Sequence, residues 1–391
     1  MTGDTLLPSA NSPAFLPERS PLRRRPRAPG RHRPESFERD EFEGRALVYD
    51  TFWHADGRRV LLVGPAALNL RPALTRARYI AIPSRKPLSA RTYDSLSVRI
   101  TALADAPADT TAIEMLLDGE KFVLPVQPNV SPTLAGARVL FTVSRDNELA
   151  WIADWAHYHA RLHGTDAVVF FDNGSTRYAP AEIAATLGAI PGIRHAAVLA
   201  WPYRYGPFDA AVKVNPYYAL FLQIAAMSVT LRRYAAAAYG LLNSDVDELV
   251  AAPPGTTIYD LAHAAPHGLV TFGGQFVEAV PAGQPLEGEV LRHRDFASRL
   301  RDSRARASRP RKWALDPQRA WVQNLGVHPY MHWIEGRPLF GKTTPAETFY
   351  WHFRGISTNW KDRRTDASHL APEAVEVDRA LEAWWRDSED R

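Results

Sequence analysis

The sequence of 391 residues contains no cysteine. Disulfide bonds, thiolate metal sites and a cysteine nucleophile are therefore all excluded. The histidines have no spacing typical of zinc sites, since His157 and His159 are two residues apart and lie on different sides of a predicted helix. Lysine is also scarce, and arginine supplies most of the positive charge. Both cysteine chemistry and a zinc motif of the usual spacing are excluded.

The chain also lacks a hydrophobic run long enough to cross a membrane. Its longest apolar helix, predicted at about 217–231, contains Gln223 and ends at Arg232 and Arg233. That length falls short of the roughly twenty apolar residues that a membrane span needs. The first fifteen residues do not have the charged start and apolar block of a signal peptide. We therefore expect a cytoplasmic protein.

Length and composition favour two folded units after a disordered tail. At 46% hydrophobic residues, the chain can bury a sizeable core. Residues 1–42 are rich in proline and arginine, and we predict that they stay disordered because they cannot bury enough apolar surface. Peripheral contact of this tail with an anionic membrane is the alternative interpretation. The tail carries much of the net charge of +4, and the rest has no basic-aromatic pattern, so we expect no nucleic-acid partner.

Residues 43–135 predict a small β-rich accessory domain, with a sandwich as one arrangement. Asp118 and Gly119 form a hairpin signal between two of its short apolar runs. The runs lie at 46–49, 60–63, 95–100, 112–117 and 121–124. After the next domain, residues 363–391 predict a helical tail.

Residues 136–362 begin with a strand, a helix and a second strand. The apolar runs 139–143 and 167–171 predict buried parallel strands. Between them, Trp151 and Tyr158 lie at helical spacing, and Gly164 suits the end of the helix. This order is typical of an α/β nucleotide-binding unit, in which ligands lie beyond the carboxyl ends of the strands.

An acidic tetrapeptide, residues 245–248, follows a further apolar run at 239–244. Asp245 and Asp247, separated by one residue, can bind a divalent cation from one side and leave its other side open to a diphosphate. The alternative is a solvated turn at a loop end. Because 144–148 and 172–175 also follow strands, we expect one crevice to collect all three segments.

The segments "VSRDNELAWIADWAHYHARLHGTDAVVFFDNGST" and "LLNSDVDELV" resemble the glycosyltransferases of family 92 and their family 2 relatives, which have the GT-A fold. The resemblance covers about 138–362. It implies a mixed sheet flanked by helices, with a Rossmann-like nucleotide-binding half. It also implies sugar transfer from a nucleotide sugar, with a UDP-sugar as the expected donor, to a hydroxyl group with bound Mn²⁺ or Mg²⁺. The matching positions are Asn147, Glu148, Trp155, Tyr158, His159, Asp172, Asn173, Ser175 and 245–248.

The resemblance also implies a set of site residues. The metal ligands would be Asp245, Asp247 and His352, with a buried core histidine as the alternative for His352. Glu248 would orient a ligand of the metal or form a salt bridge inside the fold. The expected diphosphate contacts are Arg354, Lys361 and Lys312. The expected donor nucleotide contacts are Ser144, Arg145, Asn147, Glu148, Asp172, Asn173, Lys213, Asn215 and Asp245.

Several of these residues have a structural alternative. Lys312 can be a solvated surface cation, and Asp172 can be a turn former. Asn147 and Glu148 can be the first turn of a helix, where acidic residues are favoured. Glu278 and Asp295 are the candidates for the catalytic base of an inverting transfer, from their order along the chain alone.

The acceptor can be a glycan, a lipid-linked oligosaccharide or a small molecule, and the β-rich domain can bind it or brace the catalytic domain. One alternative function is a sugar-phosphate nucleotidyltransferase. Such enzymes usually begin with a glycine-rich phosphate loop, and 144–148 contains no glycine. The other is a non-catalytic glycan-binding protein that retains the GT-A fold.

Overall fold

The computed structural model is a mixed α/β protein, in which a curled eight-stranded mixed sheet runs through the described part of the chain with few helices around it. The structure describes residues 6–26, 42–206, 220–281, 283, 288–359, 365–367 and 370–389. Three predicted site residues, Lys213, Asn215 and Lys361, lie outside these ranges.

The first ten strands are β1 (Ala14–Phe15), β2 (Ala46–Val48), β3 (Asp50–Trp53), β4 (Val60–Pro65), β5 (Arg78–Ile82), β6 (Pro87–Leu88), β7 (Ala90–Asp94), β8 (Val98–Leu103), β9 (Ala112–Leu117) and β10 (Glu120–Pro125). Those that follow are β11 (Arg138–Ser144), β12 (Ala167–Asp172), β13 (His195–Ala200), β14 (Gly240–Asn243), β15 (Glu248–Ala251), β16 (Leu269–Val277), β17 (Ser298–Leu300), β18 (Ala307–Leu315), β19 (His328–Pro329), β20 (Ile334–Glu335), β21 (Phe349–Phe353) and β22 (Val375–Val377). The α-helices are α1 (Arg71–Arg76), α2 (Leu149–His163), α3 (Pro180–Gly188), α4 (Phe221–Val229), α5 (Ile258–Ala264) and α6 (Arg379–Glu389).

The large sheet has the order β13-β12-β11-β14-β18-β16-β21-β15. Strands β13, β12, β11 and β14 are parallel, as the apolar runs predicted for β11 and β12. Helix α2 connects β11 to β12 and ends at Gly164, whose φ of 64° suits a residue without a side chain. In the register of β11 and β12, Ser144 pairs with Asp172, so the polar segments that follow both strands begin at one edge.

The β-rich part contains two four-stranded antiparallel sheets, β3-β4-β8-β7 and β10-β9-β5-β6. All five predicted runs overlap strands, and Asp118 and Gly119 join β9 to β10 with φ angles of 44° and 85°. Sequence analysis missed β3, β5, β6 and β7. The hydrophobic core under β8 continues into the face of the large sheet, where Ile100 of β8 and Phe141 of β11 belong to one buried cluster. The two parts are therefore joined by a common core.

The predicted disorder of residues 1–42 is wrong for the described residues 6–26. Leu16 is completely buried, and only 2% of Arg24 is exposed. The Arg24 guanidinium donates hydrogen bonds to the carbonyl oxygens of Ala66, at 2.8 Å, and Ala46, at 2.7 Å. Composition predicted disorder because a segment rich in proline and arginine has little apolar surface to bury, whereas here Leu16 is buried and hydrogen bonds to backbone carbonyls offset the burial of Arg24.

A buried ion pair joins the β-rich part to the chain after α4. Arg233 and Asp50 are both completely buried, and 3.0 Å separates Arg233 Nη1 from Asp50 Oδ2. The same nitrogen donates to the carbonyl of Ala10, and Nε donates to that of Pro128. Burial raises the pKa of Asp50, while the Arg233 guanidinium opposes that shift. The arginines that were predicted to end an apolar helix are thus core residues.

The predicted apolar helix at about 217–231 corresponds to α4, which continues into a π-helical turn over Thr230–Tyr234. All nine residues of α4 are buried. They pack between the large sheet and strands β4 and β8 of the β-rich part. Within the described part of the chain, the search for a helix of the length and apolarity needed to traverse a membrane finds none.

Three side chains of α2 hold β15 through Val250. His159 Nε2 accepts a hydrogen bond from Val250 N at 3.4 Å. His163 Nε2 and the hydroxyl of Tyr158 both donate to Val250 O, each at 2.8 Å. His163 Nδ1 accepts from the backbone N–H of Ile258, so its ring is bound as the neutral tautomer. Helix α2 therefore fixes the strand that begins at Glu248.

Because His159 and His163 are buried, we expect the protein to lose stability in mild acid. Burial lowers the pKa of His163 to about 4, and it lowers that of His159 well below its usual value of 6.5. Below pH 6.5 the unfolded chain binds protons that the folded chain does not, so the free energy of unfolding falls as pH falls. Each histidine contributes at most about 1.4 kcal/mol per pH unit in that window, which for His163 ends near pH 4.

Urea unfolding at pH 7.5, 6 and 5 measures this dependence. The His163→Gln variant should lose less stability between pH 6 and 5 than the wild-type protein. Equal losses in the two proteins would mean that His163 is not a source of the acid sensitivity.

Candidate functional site

The acidic segment 245–248 forms the end of the turn between β14 and β15 and the first residue of β15, and a histidine distant in sequence lies directly beside it. Strands β15 and β21 pair antiparallel with Glu248 opposite His352. This register brings His352 Nε2 to 3.1 Å from Asp247 Oδ2. The juxtaposition of Asp247 and His352 that the sequence predicted is therefore present.

A cluster of three groups suited to a metal ion results. The ligand atoms of Asp247, Glu248 and His352 lie within 4.8 Å of one another, and no other cluster of this kind occurs in the ranges described above. Two carboxylates and an imidazole suit Mn²⁺, whereas Mg²⁺ prefers oxygen ligands. The predicted ligand Asp245 is not in the cluster, and Glu248 takes part in its place. The donor set fits a divalent cation.

The carboxylate of Asp245 points instead to Lys312. Lys312 Nζ donates to Asp245 Oδ2 at 2.6 Å and lies 2.9 Å from Glu248 Oε2. Only 1% of Lys312 is exposed, so neither the solvated cation nor the diphosphate contact predicted for it is found. Burial alone would lower the pKa of Lys312, but the two carboxylates raise it, so the ammonium stays charged.

Glu248 is the buried member of this acidic group. Burial raises its pKa to about 7, against the opposing effect of the Lys312 ammonium. Glu248 Oε2 also accepts a hydrogen bond from the backbone N–H of Asp245. The salt bridge inside the fold, one of its two predicted roles, is thus observed. With all three carboxylates ionised, Lys312 balances one negative charge of the segment 245–248, and a divalent cation can balance the other two.

The imidazole of His352 is oriented by its neighbours. Its Nδ1 lies 3.3 Å from Ser308 Oγ, and its ring stacks on Phe276 with centroids 5.1 Å apart. Ser308 is in turn 3.0 Å from the hydroxyl of Tyr350. The Tyr350 ring packs on Gly274, where an added Cβ would come within 2.3 Å of it. These contacts direct Nε2 of His352 towards Asp247.

A cavity of about 1410 Å³ opens beside this cluster. Its walls include several residues predicted from the sequence, in agreement with the expected crevice at the carboxyl ends of the parallel strands. They are Ser144, Arg145, Asn147, Glu148, Asn173, Asp245, Asp247, His352 and Arg354. A search of family models and of curated proteins finds no match to this chain.

The polar residues at the ends of β11 and β12 make hydrogen bonds to other protein atoms. Asn147 Nδ2 donates to Ser144 Oγ at 2.7 Å, and Asn173 Nδ2 donates to two backbone carbonyls after β13. Arg145 differs, because 59% of its side chain is exposed and it lies 3.6 Å from Asp146. Arg145 is therefore the most accessible cation among the predicted nucleotide contacts after these strands.

Two predicted nucleotide contacts hold local structure, although Glu148 also lines the cavity. Asp172 is 3% exposed, and its carboxylate accepts hydrogen bonds from the backbone and hydroxyl of Ser175. It is thus the turn former of the alternative interpretation, and it is not among the residues that line the cavity. Glu148 precedes the first turn of α2, and both its oxygens accept from the guanidinium of Arg177.

The two candidates for the catalytic base are not part of the cavity lining. Glu278 is 3% exposed and lies 3.1 Å from Arg354 Nε. Asp295 closes a short 3-10 turn, where its Oδ2 accepts a hydrogen bond from Arg292 N at 2.6 Å. Both predictions are therefore corrected, because sequence order does not tell which carboxylates face a cavity.

Arg354 remains a candidate for anion contact. Its side chain is 33% exposed on the cavity wall, and its guanidinium lies 4.1 Å from the centre of the Phe276 ring. Contact with Glu278 and Phe276 restricts the guanidinium to this wall. It can therefore contact an anion that is bound beside His352.

Sequence reasoning missed the apolar end of the cavity. Gln223 of α4 is 2% exposed there, and neither polar atom of its amide has a hydrogen-bond partner within the described structure. Trp333 stacks on Tyr330 with ring centroids 4.4 Å apart. Leu96, between β7 and β8 of the β-rich part, also lines this end. The position of Gln223 inside an apolar helix was visible in the sequence, but its place in a cavity wall was not.

Proposed function

We propose that the protein is a metal-dependent glycosyltransferase of the GT-A fold that moves a sugar from a UDP-sugar to a hydroxyl group of its acceptor. The observation that carries this proposal is the meeting of Asp247, Glu248 and His352 on the wall of a large cavity. The resemblance of 138–362 to family 92 and family 2 glycosyltransferases supports it. So does the parallel half of the sheet, whose carboxyl edge borders the same cavity.

The roles of the residues follow from charge and position. Asp247, Glu248 and His352 would hold Mn²⁺ or Mg²⁺, which neutralises charge on the departing nucleoside diphosphate when it is bound. Arg354 and Arg145 would supply cations in the same cavity, and Ser144 and Asn173, which also line it, would border the nucleoside. A cavity of about 1410 Å³ exceeds the roughly 300–1,000 Å³ of an ordinary ligand pocket, which leaves room for a second ligand beside the donor.

Thermal unfolding with a panel of nucleotide sugars tests this function. A UDP-sugar at 100 times its Kd should stabilise the protein by about 2.7 kcal/mol when Mn²⁺ is present, and much less when EDTA replaces the metal. Transfer to added acceptors, detected as released UDP, then separates an enzyme from a glycan-binding protein. Pyrophosphate release from a nucleoside triphosphate and a sugar phosphate would instead identify a nucleotidyltransferase. If no nucleotide sugar stabilised the protein in the presence of Mn²⁺ or of Mg²⁺, the proposal would fail.

A further inference from the structure

The turn at residues 338–341 exposes two large apolar side chains to water. Leu339 is 88% exposed and Phe340 is 92% exposed, the highest values among the large hydrophobic residues that the structure describes. Leaving such side chains in water gives up the free energy that their burial would provide. Adjacent in sequence and at the tip of one turn, they differ from singly scattered surface residues.

The backbone conformation of the turn keeps Leu339 and Phe340 exposed. The N–H of Gly341 donates to the carbonyl of Pro338 at 2.9 Å, which closes the turn. Phe340 has a φ of 58°, a conformation that strains any residue with a side chain. A Cβ on Gly341 would come within 2.7 Å of the Pro338 carbonyl oxygen, so the chain is tightly packed there. The turn therefore holds Leu339 and Phe340 outward at the cost of backbone strain.

Positive charge surrounds the apolar tip. Arg337 and Lys342 flank the turn, and neither has an ion-pair partner within the described ranges. Arg311 joins them, because its Nη1 donates to Thr344 Oγ1 at 3.2 Å. No aspartate or glutamate occurs between Glu335 and Glu347. The turn thus combines a small apolar tip with cations on a stretch, 336–346, that contains no acidic residue.

We propose that this turn docks the protein on an anionic lipid bilayer. Leu339 and Phe340 would enter the interface between head groups and acyl chains, while Arg337, Lys342 and Arg311 contact anionic head groups. Stable peripheral binding needs both kinds of contact, and this turn supplies both. A protein partner fits less well, since a specific interface covers about 800 Å² on each partner and two side chains cover far less.

The segment just before this turn lines the cavity. His332 and Trp333, a few residues before the turn, line its wall, and His332 Nδ1 lies 2.9 Å from the carbonyl of Arg311. Docking would therefore bring the cavity wall near the lipid surface. If the proposed glycosyltransferase function is correct, the acceptor belongs to the lipid-linked class. That step depends on the proposed function, whereas docking itself does not.

Co-sedimentation of the full chain with vesicles tests the docking. We expect binding to phosphatidylcholine vesicles that contain about one third phosphatidylserine, and weak binding to phosphatidylcholine alone. The double variant Leu339→Ser, Phe340→Ser should partition at least tenfold less. Lys342→Gln should weaken binding to the anionic vesicles only. Val123→Ser is the matched control, because Val123 is 54% exposed on β10 in the β-rich part.

Three results would overturn the proposal: no binding of the wild-type protein to either vesicle, equal binding of wild type and double variant, or equal loss in the Val123 control. A wild-type dimer that the double variant abolishes, without vesicle binding, would assign the turn to self-association. Stabilisation by UDP-sugar and Mn²⁺ is measured on the same variants. If the double variant no longer binds vesicles but is still stabilised by UDP-sugar and Mn²⁺, docking and donor binding are separate properties. Failure of the docking proposal is then distinguishable from failure of the proposed function.

Discussion

Replacement of Asp247 by asparagine should weaken Mn²⁺ binding and slow sugar transfer by on the order of 100-fold or more. Asparagine keeps the size of the side chain but removes the charge that would face the cation. It also changes the contact with His352 Nε2, which is 3.1 Å from Asp247 Oδ2 in the wild-type protein. A metal site that loses a carboxylate keeps only Glu248 and His352, and Glu248 is already bound to Lys312.

Isothermal titration with Mn²⁺ gives the affinity without any acceptor or donor. The Asp245→Asn variant should lose less affinity, because Asp245 lies outside the three-residue cluster. Asp109→Asn, an exposed carboxylate of the β-rich part, is the control for the loss of a charge alone. Unchanged Mn²⁺ affinity in Asp247→Asn would remove the metal site from the proposed function.

Removal of either partner of the Arg233–Asp50 pair should destabilise the protein by about 3–5 kcal/mol, since the remaining charge is left without its partner in the core. Both side chains are completely buried, so water cannot replace the lost partner. Arg233 also binds the carbonyls of Ala10 and Pro128, which adds unsatisfied acceptors when it is replaced.

Urea unfolding of Arg233→Met, Asp50→Asn and the double variant measures this effect. The double variant should be less destabilised than the sum of the single variants, because it leaves no lone buried charge. Glu18→Gln breaks the exposed pair with Arg45, in which 88% of the Glu18 side chain is accessible, and should change stability by less than about 1 kcal/mol. Equal effects in the buried and exposed pairs would refute the argument.

Two neighbouring strands of the central sheet, the helix between them and the acidic turn were predictable because their patterns are local. The runs 139–143 and 167–171 became β11 and β12, and the helix between them ended at Gly164 as expected. The pairing of Asp247 with His352 was predicted by resemblance alone. Its physical cause, the antiparallel register of β15 with β21, joins segments far apart in sequence, which a single-sequence pattern does not encode.

The errors share a different cause. Arg24, Arg233 and Lys312 look like solvated cations in the sequence, yet each is buried against carbonyls or carboxylates that come from other parts of the chain. Glu278 and Asp295 were wrongly predicted to be catalytic bases, because their ion-pair and hydrogen-bond partners hold them outside the cavity lining. Propensity and spacing describe neighbours along the chain, whereas the partner of a charge is set by tertiary packing.

The hairpin between β7 and β8 reaches the cavity through Leu96, and α4 is covered by strands β4 and β8. A fragment that began after residue 135 would uncover the apolar surface of α4 and remove one wall of the cavity. Residues 136–391 purified alone would therefore be prone to aggregate and would lack part of the cavity wall. Inactivity of such a fragment would say nothing about catalysis.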